Sequence, residues 1–202
     1  QVTQKGAKHM TKSADYHDYV FRNGELVGEF EDMYRNSSTT PWHQDDQDEW
    51  IDVRLTIQLL SDLGKYHEIY DFGCGTGHYL DLMSRSILLS GGSSFGYDIS
   101  PTACLKASRL FPESTFSVLY LTSQLSDFRQ QKSNATELKR LFMLRGTLWY
   151  VFPKLSRVVQ NIALGMRPSD QLLVVQNFPP LDSSFIGMDV LPNHFALFKH
   201  FS

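Results

Sequence analysis

Glu68-Ile69-Tyr70-Asp71-Phe72-Gly73-Cys74-Gly75-Thr76-Gly77 is the stretch that decides the fold. Its first half is a short apolar run suited to a buried strand, its second half is a glycine turn, and a helical pattern from Tyr79 to Leu89 follows directly. A ligand at such a strand-to-helix turn can touch backbone, because glycine lacks a Cβ and tolerates positive φ. The spacing is GxGxG, one residue tighter than the GxGxxG that seats a pyrophosphate on a helix N-terminus. A cofactor without phosphate suits the turn better.

A second strand, Ser94 to Tyr97, ends at Asp98, 21 residues after Gly77, where a carboxylate can accept the protons of both hydroxyls of a ribose. Ser100 as cap and Pro101 at the first helical position then open a helix carrying Ala103, Leu105, Ala107 and Leu110. Phe116 to Leu121, Leu141 to Leu144 and Gln171 to Gln176 supply three more strands, with a helix from Lys154 to Leu164 between the last two. Short apolar strands alternating with amphipathic helices imply parallel pairing with helices on both faces. The expected fold is therefore α/β, a three-layer Rossmann-like sandwich with a mainly parallel sheet. Ligands in such folds bind beyond the carboxyl ends of the strands, where strand order reverses.

Upstream, residues 15–47 form an aromatic and acidic arm, with Tyr16, Tyr19, Phe21, Phe30, Tyr34 and Trp42 set among Asp and Glu. Asn23-Gly24 marks a turn, and Glu29 to Tyr34 a short helix. From Asp46 to Leu63, Trp50, Val53, Leu55, Ile57, Leu59, Leu60 and Leu63 fall close to a 3.6-residue period, which predicts one buried helix face. Gln1 to Met10 lack periodicity and end in the His9-Met10 of a common cloning site, so they read as a cloning leftover. Residues 11–202 read as one domain.

Composition narrows the function. The 202 residues are 42% hydrophobic and carry a net charge of −3, with no run of Lys or Arg able to neutralise a line of phosphates, which argues against a nucleic-acid substrate. Cys74 and Cys104 lack metal-ligand spacing and read as free thiols, so no metal is expected. No apolar run is long enough to span a bilayer and none resembles a signal core, so the expected setting is cytoplasmic, away from the membrane.

With these residues in place, Glu68–Gly77 resembles the first motif of the class I S-adenosylmethionine-dependent methyltransferases, and Phe95-Gly96-Tyr97-Asp98-Ile99-Ser100 their second, the likeness running from about Ile69 to Phe178. The resemblance implies that Asp71 orients the methionine amino group, that Gly73, Cys74, Gly75, Thr76 and Gly77 wrap the methionine and ribose, that Asp98 binds the ribose hydroxyls and that Ile99 packs on adenine. Arg145 and Gly146 would line the methionine end, with Trp149 and Tyr150 facing the methyl. S-adenosylhomocysteine would be the product. Where many members close the third strand with Asp, this chain has Tyr120 and Leu121, leaving adenine to the Leu121 backbone or to the Thr122 and Ser123 hydroxyls. The family's sheet also ends in an antiparallel hairpin; here a loop, Asn177 to Pro180, and a helix, Ala196 to Phe201, follow the fifth strand, so the hairpin is expected to be missing and the edge open to association into an oligomer.

Methyl transfer from a sulfonium is an in-line displacement, so alignment matters more than a strong base. Trp42, Trp149 and Tyr150 are candidates for an aromatic wall facing the cation. Tyr150, His43 and Asp45 are candidates to take a proton from the acceptor, against the plainer reading of His43 as an exposed loop residue and of Asp45, Asp46, Asp48 and Glu49 as a solvated helix start. Pro41-Trp42 followed by polar residues is also similar to the lid of small-molecule methyltransferases such as the NodS-type N-methyltransferases of lipochitooligosaccharide synthesis. The expected activity is N- or O-methylation of a small polar acceptor. Alternatives are a cofactor-binding regulatory module without turnover and, against the glycine spacing, a nicotinamide-dependent oxidoreductase.

Overall fold

The computed structural model describes residues 13–123, 138–180 and 183–201; the cloning leftover read at residues 1–10 lies outside them. The sheet is built from β3 (Tyr66–Phe72), β4 (Leu88–Asp98), β5 (Thr115–Val118), β6 (Arg140–Arg145) and β7 (Gln171–Val175), in the order β5-β4-β3-β6-β7. Every pairing in it is parallel. The chain leaves β3 on one side toward β4 and returns on its other side as β6, so strand order reverses at β3 and the crevice of the doubly wound fold opens there.

Side chains alternate across the central strands. Tyr70, Phe72, Phe142 and Leu144 enter one apolar layer with α6 (Leu155–Gly165), while Ile69, Leu141 and Met143 enter the other with α3 (Ile51–Asp62) and α4 (His78–Ile87). Ile69, Phe72, Phe142 and Met143 are fully buried, and each such side chain contributes about 1.5–3 kcal/mol. At the foot of the sheet the buried Arg140 guanidinium pairs with Asp170, and its Nε lies 2.9 Å from that carboxylate.

The elements differ from expectation in instructive ways. β5 stops at Val118, three residues before Leu121, because beyond Asp98 its neighbour β4 has no more strand to pair with, although the Leu119 N–H still reaches the Asp98 carbonyl at 2.9 Å. β4 begins at Leu88, taking the end of the expected helix into the sheet. In α3 the buried residues are Val53, Thr56 and Leu60, whereas Leu55, Leu59 and Leu63 are exposed. The apolar period alone does not choose the face: the residues at 53, 56 and 60 lie over the sheet, and a polar Thr is accepted there.

The arm folds as α1 (His17–Val20), a hairpin of β1 (Phe21–Arg22) and β2 (Glu25–Leu26), and α2 (Phe30–Asn36). Asn23 and Gly24 both take positive φ, the geometry that makes Asn-Gly a tight hairpin turn. A 3₁₀ segment, Pro41–Asp46, leads into α3, and α5 (Pro101–Leu110) follows Asp98 with Ser100 accepting from the Ala103 N–H at 3.1 Å.

Candidate active site

The turn after β3 is fastened to β4 by backbone. The Tyr97 carbonyl accepts from the N–H groups of Gly73 at 2.7 Å and Cys74 at 3.0 Å. Gly75 N–H donates to one Asp98 oxygen at 2.9 Å and Ser100 N–H to the other at 2.9 Å. Asp98 therefore faces the mouth of the glycine turn rather than away from it. Gly77 has φ +85° at the N-terminus of α4, and a Cβ there would stand 2.8 Å from the Phe116 ring and 3.1 Å from Ala107. A Cβ on Gly75 would meet Gln44 at 2.2 Å and the Tyr34 hydroxyl at 2.6 Å. These glycines permit close packing of the turn against β5, α5 and the arm.

A cavity of about 520 Å³ opens over the carboxyl ends of β3, β4 and β6, within the range of small-molecule sites. Asp71, Gly73, Cys74 and Asp98 line its floor, Ile99, Tyr120, Leu121 and Thr122 one end, and Arg145, Gly146, Trp149 and Tyr150 the other. Trp42 closes it from the arm. Gly75, Thr76 and Gly77 do not line it: the Thr76 N–H and hydroxyl both donate to Gln44 Oε1, at 3.0 and 2.9 Å. The Leu121 carbonyl accepts from Asn161 at 2.7 Å, which occupies one of the groups considered for adenine. His43 is exposed and lies outside the cavity, and Asp45 accepts from Thr40 at 2.7 Å, so neither stands where an acceptor would.

Charges are arranged with care for burial. Asp71 is 3% exposed, and among the described residues none donates a hydrogen bond to its carboxylate. Burial, reinforced by Asp98, pushes it up to about 7 against the pull of Arg145. Asp98 is also raised by burial and by Glu31, while the backbone N–H groups hold it down. Arg145 is anchored by Asp52 of α3 at 2.7 Å and by Gln47, and its guanidinium lies 4.7 Å from the Tyr79 ring. Burial pushes the Tyr150 phenol up to about 12 against a lowering influence from Trp42, so at neutral pH it is uncharged.

The roof gathers Phe30, Tyr34 and Trp42 of the arm against Tyr150, more than a hundred residues further along the chain. Trp42 stands 5.5 Å from Tyr150, 6.3 Å from Tyr34 and 6.5 Å from Phe30, ring centre to ring centre. Glu31, Gln44, Gln47 and Asp52, which pin this roof, were not singled out in the sequence. The only local signal for them is their position in or beside the arm. Glu31 accepts from Ser100 Oγ at 2.6 Å and from Thr102 N–H and Oγ1 at 3.0 and 2.6 Å, tying α2 to the start of α5 just after Asp98.

No family model and no curated protein matches the chain. Solved structures do. The chain is similar to one from the complex between the Haloferax volcanii Trm112 methyltransferase activator and the putative methyltransferase, at 15% identity over 78% of this chain and 70% of that one, with a TM-score of 0.53. It is similar to a structure of the conversion of a disulfide bond into a thioacetal group during echinomycin biosynthesis, at 19% identity over 69% and 56% and a TM-score of 0.50. Streptomyces venezuelae DesVI matches at 14% identity over 70% and 56%, with a TM-score of 0.49. The chain thus spans little more than half the length of DesVI and of the echinomycin structure. At these identities the likeness is one of architecture: the chain has the Rossmann-like fold of the class I methyltransferases.

Proposed function

We propose that this chain is an S-adenosylmethionine-dependent methyltransferase acting on a nitrogen or oxygen of a small polar acceptor. The observation that carries the reading is the pair of buried carboxylates facing one cavity, Asp98 held by the glycine turn and Asp71 without a donor. A ligand offering both ribose hydroxyls and an ammonium meets that need. Asp98 accepts the hydroxyl protons in charge-assisted bonds, and Asp71 receives the ammonium. Ile99, 41% exposed beside Asp98, offers an apolar face to a base.

When bound, the sulfonium supplies an electrophilic methyl group. The chain's own contribution is alignment and exclusion of water. Trp42 and Tyr150 present aromatic faces, which favour a cation and keep solvent out. The neutral Tyr150 hydroxyl orients the acceptor's lone pair, and alignment of this kind supplies much of the rate of an in-line displacement.

Titration calorimetry with S-adenosylhomocysteine tests this. Binding is expected to be saturable, and Asp98→Ala to weaken it by at least about 100-fold, the loss of two charge-assisted bonds worth roughly 1.5–3 kcal/mol each. Equal affinity in the variant rejects the assignment. A second reading, a binding module without turnover, is favoured by one feature: among the described residues lining the cavity there is no histidine, and Tyr150 is a poor base. Cofactor binding without labelled-methyl transfer to any of a panel of amines and hydroxyl compounds would decide for it.

A further inference from the structure

α3 turns Val53, Thr56 and Leu60 inward and leaves Ile51, Leu55, Leu59 and Leu63 exposed by 71, 63, 55 and 50%. Single exposed leucines are ordinary, but these stand four apart and so form one continuous ridge, the pattern of a contact surface. A second ridge runs beside it, Arg54, Gln58 and Asp62, one cation, one amide and one anion in order. Gln58 donates to Asp62 at 3.0 Å, which holds that carboxylate on the same flank, and Arg54 has only a 3.7 Å contact with the exposed Glu49.

That charge order is complementary to itself when reversed. In an antiparallel pair of α3 helices Arg54 of one copy meets Asp62 of the other, and Gln58 meets Gln58. With a rise of about 1.5 Å per residue, the same register interleaves Ile51, Leu55, Leu59 and Leu63 of the two copies at steps of about 3 Å, knob beside knob without collision. A parallel pair in register instead sets Arg54 against Arg54 and Asp62 against Asp62. Apolar fit and charge fit therefore select one arrangement. We infer that two copies of this chain associate through α3 as an antiparallel homodimer with Gln58 at the two-fold axis. The same helix carries Asp52, the anchor of Arg145, so the association steadies one wall of the cavity from behind. The inference stands independently of the proposed chemistry.

Sedimentation velocity on the full chain is expected to give twice the 23.2 kDa of one copy. Leu55→Glu with Leu59→Glu is expected to give a monomer with an unchanged far-ultraviolet circular dichroism spectrum. Arg54→Asp alone is expected to dissociate the dimer, and Arg54→Asp combined with Asp62→Arg to restore it. Cys74 and Cys104 are buried, at 4 and 7% exposure, so Gln58→Cys introduces the one exposed thiol. Copper–phenanthroline oxidation should link it into a covalent dimer, whereas Arg54→Cys, about 12 Å from its own copy along the axis, should not link. A chain that stays monomeric, a dimer that survives the two glutamates, or a dimer whose Gln58→Cys form does not cross-link overturns the inference.

Discussion

The glycine turn and the arm meet where Gln44 grips Thr76, yet they are held by different forces. The turn is fixed by backbone: two N–H groups on the Tyr97 carbonyl, one on Asp98, and glycines packed too closely for any Cβ. The arm is pinned across the cavity by side chains, Glu31 on α5, Gln44 on Thr76 and Gln47 on Arg145, and it carries Trp42 and His43 at positive φ. Positive φ costs such residues of order 1–3 kcal/mol each, which offsets part of what the side-chain bonds contribute to holding the roof. A rigid floor under a weakly pinned roof is an arrangement in which a ligand can contribute to the order of the arm.

The largest expected effect falls on the floor. Gly77→Val places side-chain atoms against Phe116 at φ +85° and should destabilise the whole domain by about 3 kcal/mol, combining strain with overpacking. A thermal melt within a degree of the parent would show that close packing of the turn does not hold the floor. Next, Glu31→Gln removes charge from three hydrogen bonds and should cost about 1–3 kcal/mol of arm docking, visible as faster proteolysis near residues 30–45 while the sheet's amide protection is unchanged. Burial works against the Glu31 charge, but the bonds from Ser100 and Thr102 prevail and lower it to about 2. Its contribution is therefore full above the unfolded value of 4.5 and is lost as pH falls toward 2, so acid should release the arm before it unfolds the sheet.

A smaller effect concerns the carboxylate without a donor. Only ionised Asp71 attracts an ammonium, and burial holds it near 7, so affinity for S-adenosylhomocysteine should fall by up to about tenfold per unit below that pH and level off above it. A flat profile from pH 5 to 8 would detach Asp71 from the ligand. The smallest is a gain: His43→Gly relieves positive φ at an exposed position outside the cavity and should stabilise the docked arm by about 0.5–1 kcal/mol. Loss of stability instead would show that the His43 side chain holds the arm.

What was legible is uneven along the chain. Asp71, Gly73 and Asp98 could be placed from sequence because a strand, a glycine turn and the next strand's end lie in register whenever parallel strands pair. Tyr120 and Thr122 were found at the cavity, but Leu121 was not foreseeable as the acceptor of an Asn161 hydrogen bond forty residues away. His43 drew notice through its neighbours Pro41 and Trp42, and the backbone turned it outward.

The sequence by itself determined the parallel α/β order and the floor of the cavity, since both follow from local periodicity, missing Cβ atoms and short connections. Only the tertiary structure decided how the arm reaches across that floor, which face α3 buries and which groups Arg145 and Glu31 meet. Those outcomes depend on contacts between residues 32 to 98 positions apart, and no local pattern in the chain encodes a distance of that kind.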